Sequence, residues 1–415
     1  MPNPLEESLN QLQADFDALK ADHEALKSQV ETVDNNHTKY FNDLRDFGPL
    51  DGRVNPETDN TNALRQSIVN SNENDMPIYI AGDAVIKDTI ELPFQNGYKF
   101  IGSGSRPLVN VKHPFDASGS SLNWRGEAGG TMFKIQGSDV VFDDIAIYGK
   151  AWERYATPEG RAGIGLLVTK PEVGLGTGKI SFKNFKAYQC DVGIQFGENY
   201  GMSNCDVSTF SGLTYFHNCE SGFKIVNAMG MGFHFDMVFS RDVKKVFDIQ
   251  AGGGVEISNA AVVSLQTEAF LNFGKSEINN CHVKVGQVKR DAQADNCKFV
   301  NMEEPGLAKI LFDQIHTSMG SQRIGEVDFD LKGSPTLCIR GHNKMQAGAI
   351  RVTGGSIGNK KCVIVLDNCR LNMADPKSVI SADTDTAYTL FVKNCYNNLG
   401  YPKEDKTYIF SPVAD

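Results

Sequence analysis

The sequence is poor in charge and has no long apolar run, and each shortage excludes a class of protein. Only 22% of its 415 residues are charged, the formal net charge is −10 and no basic patch stands out. A nucleic-acid binder is therefore excluded, because phosphates would find few cations. No apolar run approaches the ~20 residues that span a bilayer, so we expect no membrane insertion. The first residues lack a basic stretch followed by an apolar one, so we expect no signal peptide and synthesis in a cytoplasm.

The cysteines exclude two further classes. There are nine, their spacings are irregular and no C-x-x-C pair occurs, which argues against a zinc site or a disulfide framework. We expect neither a metal nor another cofactor, and buried free thiols in a reducing compartment. Six cysteines follow an asparagine, which tolerates the left-handed backbone of tight turns. The six pairs are Asn204-Cys205, Asn218-Cys219, Asn280-Cys281, Asn296-Cys297, Asn368-Cys369 and Asn394-Cys395.

Residues 130–275 repeat one short pattern, a bulky apolar residue or glycine followed by apolar–any–apolar. The copies start at positions 132, 163, 193, 222, 246 and 270. A loose period in this range, carried by short alternating strands, is typical of a β-solenoid. One unit is too short to bury its own apolar face, whereas stacked units bury a continuous core.

Residues 5–44 carry a heptad in which apolar or ring side chains alternate at spacings of four and three. The positions are Leu5, Leu9, Leu12, Phe16, Leu19, His23, Leu26, Val30, Val33, His37, Tyr40 and Leu44. The pattern predicts an α-helical coiled coil. Because one helix cannot bury its own seam, the chain should be an oligomer, and Phe16 with the two histidines at "a" positions favours a trimer over a dimer. The histidines either set the register of the seam, surround a bound anion or water, or make the stalk pH-sensitive.

A short amphipathic helix is predicted over 59–69. Asp59 or Thr58 can cap it, and Ala63, Leu64 and Ile68 form its apolar face. Such a helix would close the open end of a solenoid, whose first coil otherwise exposes unpaired strand edges.

The segment 46–104 carries several motifs in a fixed order. They are Asp46-Phe47-Gly48, Asp51-Gly52, Asp59-x-Thr61-x-Ala63-Leu64, Ile90-Glu91-Leu92-Pro93 and Phe100-Ile101-Gly102-Ser103-Gly104. This order resembles the entry segment of the pectate-lyase-like right-handed parallel β-helix superfamily, in particular the tailspike proteins of tailed bacteriophages. The family's paired Asp-Asp is Asp59-Asn60 here, a departure at a position that we interpret as structural.

The resemblance implies an all-β protein, a right-handed parallel β-helix preceded by an N-terminal coiled coil, in a homotrimer. We expect a stalk at 1–45 for trimerisation and attachment to a phage tail or baseplate protein. An entry segment with its capping helix at 46–104, a host-binding β-helix at 105–398 and a C-terminal tail at 399–415 should follow.

The expected function is binding of host surface polysaccharide at adsorption, as part of the virion. Three hypotheses stay open: an adhesin without catalysis, a depolymerase acting as glycoside hydrolase or lyase, and an inactive structural tail component that anchors other fibres.

A charged residue lies two positions before the start of each copy of the pattern from the second copy onward. They are Arg161, Asp191, Glu220, Lys244 and Glu268. If the coils align, they form a column with neighbours ~5 Å apart. Asp191, Glu220 and Glu268 are then candidate catalytic carboxylates, since glycosidases use two carboxylates ~5 Å or ~6.5–9.5 Å apart. Arg161 and Lys244 are candidate substrate-binding cations. The alternative is an ordinary cross-strand charge ladder.

Two aromatic stretches are candidate sugar-binding loops. Trp124-Arg125 pairs a ring with a guanidinium, which suits either sugar stacking or packing that closes an early coil. Trp152 and Tyr155 lie in an excursion at 149–161 that interrupts the repeat, and insertions in solenoids map to loops that carry binding.

Overall fold

The computed structural model describes most of the chain. The described residues are 4–50, 57–93, 97–104, 120–150, 159–169, 177–199, 205–264, 266–274, 281–291, 294, 297–318 and 326–411. Helix α1 is Pro4–Tyr40 and helix α2 is Thr61–Asn74. The strands are β1 Asn42–Asp43, β2 Ile78–Ile80, β3 Asp83–Ile86, β4 Ile90–Leu92, β5 Lys99–Gly102, β6 Ser120–Trp124, β7 Thr131–Ile135, β8 Val141–Asp143, β9 Ile145–Tyr148, β10 Ala162–Val168, β11 Thr177–Lys183, β12 Lys186–Tyr188, β13 Cys190–Phe196, β14 Cys205–His217, β15 Ser221–Ile225, β16 Phe233–Arg241, β17 Lys245–Ile249, β18 Gly254–Val263, β19 Ala269–Phe273, β20 His282–Arg290, β21 Lys298–Met302, β22 Lys309–Thr317, β23 Phe329–Lys332, β24 Thr336–Ile339, β25 His342–Met345, β26 Ile350–Thr353, β27 Cys362–Asp367, β28 Cys369–Leu371, β29 Ile380–Ala382, β30 Tyr388–Lys393 and β31 Lys406–Phe410.

The strands form two sheets in which neighbouring strands are parallel, except for the last pair, β30 and β31. An 11-stranded sheet contains β4, β7, β10, β13, β15, β17, β19, β21, β23, β26 and β29, and the other strands form a 20-stranded sheet. Successive strands of the 11-stranded sheet are separated in sequence by one or two strands of the 20-stranded sheet, so the chain winds through both sheets once per coil. The predicted parallel β-helix is confirmed.

The repeat pattern fits the 11-stranded sheet with one correction. Phe133, Leu166 and Ile194 are register partners, so the second copy starts at Gly165 and not at Gly163. The prediction was wrong by two residues because the run of alternating glycines and apolar residues fits the pattern in either frame. The copies that start at 193, 222, 246 and 270 keep the predicted alignment.

An aromatic ladder runs through the core. Phe100, Phe142, Phe182, Phe210 and Phe235 come from successive coils and stack with ring centroids 4.0 to 5.5 Å apart. All five rings are buried. Burying a phenylalanine contributes roughly 2–3 kcal/mol relative to exposure, so the ladder ties each coil energetically to the next.

Several coils turn at the residues that the Asn-Cys pairs predict. Asn218, Asn368 and Asn394 have φ values of 54°, 54° and 49°, in the left-handed region. The cysteine that follows each of them is buried and free, so it serves as a small apolar filler. Asn204, Asn280 and Asn296 lie outside the described residues.

Helix α1 ends earlier than the heptad predicts. The last predicted position, Leu44, belongs to a short 3-10 turn and is fully buried in the β-helix core. The cause is β1, which pairs in parallel with β2 and draws the chain into the 20-stranded sheet directly after Tyr40. The helix is therefore one heptad position shorter than predicted.

Helix α2 forms in the predicted segment but ends at Asn74, five residues after the predicted end, and its apolar face packs into the core. Its first amide, Thr61 N, donates to Asp59 Oδ1 at 2.9 Å, and Ala63, Leu64 and Ile68 are buried. Neither α1 nor α2, within the part of the chain described, has the length and apolar content needed to cross a membrane.

The last strand lies in the segment predicted to be a tail. β31 pairs antiparallel with β30. An unpaired edge of a parallel sheet is a template for association with another chain, and β31 occupies that edge at the last coil.

Candidate functional site

The two sheets meet at a corner made of stacked turns. Gln189, Asn218 and Asp242 occupy equivalent places there, with φ values of 57°, 54° and 55°. Gln189 N donates to His217 O at 2.9 Å and Asn218 N donates to Arg241 O at 3.0 Å, which ties the turns together. The side chains that precede and follow these turns therefore form two columns along the corner.

The column that follows the turns is called the acidic column here. β13, β15, β17 and β19 pair in register, so residues two places before each pattern start follow one another at ~4.8 Å. The acidic column consists of Asp191, Glu220, Lys244 and Glu268. Lys244 Nζ lies 2.8 Å from Glu220 Oε1, and both side chains are almost half exposed.

Arg161 does not belong to this column. Ala162 is the register partner of Cys190, which places Arg161 beside Gln189, two residues from its predicted position. The misplacement follows from the frame error at Gly163. The Arg161 side chain is nonetheless buried at the corner, where Nη1 and Nη2 donate to Asn218 O and Asn218 Oδ1 at 3.2 and 3.0 Å.

Asp191 has the altered titration expected of an acid–base residue. Its partial burial raises the pKa of the carboxyl, the Arg161 guanidinium opposes the rise, and the neighbouring Glu220 carboxylate adds to it. The net effect is a raised pKa. A pair of carboxyl groups with unequal surroundings can divide the roles of acid and base.

The second column at the corner, formed by the residues that precede the turns, contains aromatic and basic side chains. Tyr148, Tyr188, His217 and Arg241 are successive register partners, and the Tyr148 and Tyr188 rings stack with centroids 4.5 Å apart. His217 Nε2 lies 3.4 Å from Asp242 Oδ2. The hydrogen bond from His217 lowers the pKa of Asp242 although burial acts in the opposite direction. Tyr188 is only 1% exposed and therefore serves packing, whereas the side chains of His217 and Arg241 are 15% and 44% exposed and bring polar groups to the surface of the corner.

Sequence reasoning missed the outer face of the 11-stranded sheet. The middle residue of the apolar–any–apolar pattern is polar in eight successive coils, from Gln195 to Ser381, and these residues are in register. The six between these two are Lys224, Asp248, Asn272, Asn301, Asp330 and Arg351, called the polar ladder here. The signal was present in the repeat itself, at the position that the pattern leaves unspecified.

The candidate sugar-binding residues of the two aromatic stretches have different outcomes. Trp124 is 3% exposed and its Nε1 donates to Glu127 O at 3.1 Å, so its ring packs in the core and the prediction that it stacks on a sugar is wrong. Arg125 beside it is half-buried. Trp152 and Tyr155 lie outside the described residues.

Metal ligands do not gather anywhere in the described ranges: no group of three or more His, Cys, Asp or Glu side chains is placed to hold an ion. The paired carboxyl groups at the corner are suited to proton transfer, and the neighbouring cations are suited to charge stabilisation.

The chain is a parallel β-helix protein. No family model and no curated protein sequence matches it. DFA-IIIase from Arthrobacter chlorophenolicus A6 superimposes with a TM-score of 0.57 at 10% identity, over 87% of this chain and 96% of that chain. The same protein in complex with GF2 gives a TM-score of 0.56 at 11% identity, with the same coverage.

Phage tailspikes are also among the similar structures. The tailspike of Acinetobacter baumannii bacteriophage Fri1, a capsular polysaccharide depolymerase, matches at 10% identity with a TM-score of 0.41. The match covers 84% of this chain and 61% of that chain. At identities of 10–11%, what is shared with DFA-IIIase is the fold.

Proposed function

We propose that this chain is a subunit of a bacteriophage tail spike or tail fibre that binds host surface polysaccharide, and that its corner cleaves the bound glycan. The observation that carries the cleavage is the placement of Asp191 beside Glu220 on paired strands. Retaining glycosidases need two carboxyl groups ~5 Å apart, which is about one strand spacing. The entry-segment motifs and the N-terminal heptad support the phage assignment.

The residues of the corner take separate roles. Asp191, whose pKa is raised, serves as the acid, and Glu220 serves as the partner carboxylate. Lys244 stabilises negative charge that develops on a uronate or leaving group. The buried Arg161 acts on the site indirectly, since its guanidinium favours the charged form of Asp191. Glu268 stands two strand spacings from Glu220, ~10 Å away, a separation nearer to that of inverting enzymes. Both hydrolysis and lyase chemistry are compatible with these groups.

Trimerisation is supported by the exposed seam of α1. Phe16, Leu19, Leu26 and Val30 expose 54% to 71% of their surface. A stripe of large apolar side chains at heptad spacing is stabilised by burial against equivalent helices. Three copies would make the second and third glycan contacts intramolecular, which increases avidity.

Substitution of the two carboxyl groups tests the cleavage. Asp191→Asn and Glu220→Gln should each abolish shortening of purified host polysaccharide, followed by size-exclusion chromatography, while binding persists. Glu256→Gln is the matched control, because Glu256 is similarly exposed and forms an ion pair with Lys284 at 2.6 Å on the other sheet. Equal shortening by the Glu220 variant and the control would show that the acidic column is not catalytic.

A second candidate function is a structural tail component without a glycan site. It is favoured by the Glu220–Lys244 pair, since exposed pairs of this kind are common as cross-strand ladders worth less than ~1 kcal/mol. Tight binding to a tail protein, together with no retention on any host glycan, would establish this alternative.

A further inference from the structure

The two aspartates of the polar ladder lie beneath neighbouring cations. The side chains of Asp248 and Asp330 are only 5% and 4% exposed, whereas those of Lys245, Lys298 and Arg351 are 28%, 29% and 44% exposed. A ligand approaching this face therefore meets these three cations together with one exposed carboxylate, that of Glu303, which is paired with Lys245. This differs from the chain as a whole, which is acidic.

The first half of the ladder is fixed by one amide. Asn272 Nδ2 donates to Asp248 Oδ1 at 2.9 Å and to Glu303 Oε1 at 3.0 Å. Lys245 Nζ donates to the same Glu303 oxygen at 2.6 Å. Lys332 Nζ, from β23, donates to Glu303 O at 2.7 Å and brings another cation close to Glu303. Each polar group thus has a defined position before any ligand binds.

In the second half, two cations share one carboxylate. Lys298 Nζ donates to Asp330 Oδ2 at 2.8 Å and to Asn301 Oδ1 at 2.9 Å. The Arg351 guanidinium donates to both oxygens of the same carboxylate, from Nε to Oδ1 at 2.9 Å and from Nη2 to Oδ2. One carboxylate cannot neutralise two cations, so this end carries an excess of positive charge.

We infer that this face binds a polysaccharide chain that carries carboxylate groups. The inference rests on the proposed function and adds the substrate class. Lys245, Lys298 and Arg351 belong to β17, β21 and β26, which follow one another at intervals of two coils, about 10 Å. That interval is close to the length of a disaccharide, so a uronate in every second sugar would meet successive cations.

Three ladder residues, Lys224, Asp248 and Asn272, lie on strands β15, β17 and β19, and each of these strands begins directly after a residue of the acidic column. Lys244 of the acidic column is directly followed in the chain by Lys245, the partner of Glu303. Glu220 of the column lies four residues before Lys224 of the ladder. A glycan held along the ladder would therefore run beside the corner carboxyl groups. Because the cations are already held by hydrogen bonds to carboxylates, little side-chain ordering remains to be completed on binding.

Calorimetric titration with polygalacturonate fragments, and with dextran of matched size, tests the inference. Wild-type protein should bind the acidic fragments and not dextran. Lys298→Gln with Arg351→Gln should weaken binding by about tenfold or more, as expected for loss of charge-assisted hydrogen bonds. Lys284→Gln with Arg340→Gln removes the same charge from ion pairs on the other sheet and should change affinity by less than about twofold.

The variant Lys298→Arg with Arg351→Lys is the control for folding. It keeps both charges and should retain most of the affinity. Equal losses in the two glutamine variants would overturn the inference, because binding would then follow net charge alone. A preference for dextran, or binding of neither polymer, would overturn it as well. If purified host polysaccharide is still bound in that case, the proposed function stands without the acidic substrate class; if it is not, both fail.

Discussion

Glu220 lies between a cation and a second carboxyl group at the corner of the β-helix. Lys244 Nζ is 2.8 Å from Glu220 Oε1, and Asp191 is the neighbour on the preceding coil. Burial and the charge of Glu220 raise the pKa of Asp191, whereas Glu220 is paired with an ammonium group. The two adjacent carboxyl groups thus have different surroundings, which is the condition for dividing acid and base roles.

The raised pKa of Asp191 predicts a pH-dependent effect on stability. A carboxyl group with a higher pKa in the folded state stabilises the protein fully below its unfolded pKa, and this contribution is lost as pH rises through the folded pKa. Asp191→Asn should therefore raise Tm at pH 7 and leave it unchanged near pH 3. Thermal unfolding at both pH values measures this. A lower Tm at pH 7 would show that Asp191 is stabilised as an anion.

Lys244→Met should affect cleavage more than stability. The Glu220–Lys244 pair is almost half exposed, and such pairs contribute less than ~1 kcal/mol to folding. A cation that stabilises developing charge contributes more, so we expect kcat to fall by about 100-fold. Lys284→Met is the control, since Lys284 is equally exposed and ion-paired with Glu256. Equal kcat values in the two variants would show that Lys244 takes no part in cleavage.

Arg290 should be important for stability, because its partner is buried. Arg290 Nη1 donates to Asp328 Oδ1 at 2.5 Å and to Cys297 O at 2.7 Å. Arg290→Met would leave the Asp328 carboxyl buried without its cation, and such losses cost about 3–5 kcal/mol. Urea unfolding should show this loss, compared with less than ~1 kcal/mol for Arg340→Met in an exposed pair with Asp313.

A double variant completes the test of the buried pair. Arg290→Met combined with Asp328→Leu removes both charges, so much of the stability should return. If the double variant is no more stable than Arg290→Met alone, the loss in the single variant comes from other contacts of Arg290, such as its packing against Phe299, whose ring centroid lies 4.8 Å from the guanidinium carbon.

The elements predicted correctly from the sequence are those whose signal is local. The apolar face of α2 and the repeat from 193 onward are periodic over short windows, and both are confirmed. Leu44 was assigned wrongly because its burial depends on β1 pairing with β2, a strand more than thirty residues away. Local periodicity carries no information on such a contact.

The site was predicted in part for the same reason. The acidic column was predicted correctly because each of its copies of the pattern can be aligned in only one way. Its members are Asp191, Glu220, Lys244 and Glu268. Arg161 was misplaced where alternating glycines allow two frames. The polar ladder was missed because its residues occupy the position that the pattern leaves unspecified. Its recognition also requires knowing which face of each strand is covered.

The exposed seam of α1 gives the most direct test of assembly. Leu19 and Leu26 expose more than 60% of their surface, so a single chain leaves apolar side chains in water. In a three-stranded coiled coil these leucines would form central layers, and Leu19→Asp with Leu26→Asp would place six carboxylates there. The desolvation cost of such charges is several kcal/mol each, which should abolish association.

Light scattering of the full-length protein at several concentrations measures the outcome. Wild type should have three times the chain mass of 45.5 kDa, and the double variant should have the mass of one chain. Glu24→Lys, an exposed change outside the seam, should remain trimeric. A truncation should remove only residues 1–40, because β1 and Leu44 belong to the β-helix. A wild-type monomer would contradict the trimeric spike, and a dimer would require a two-stranded stalk.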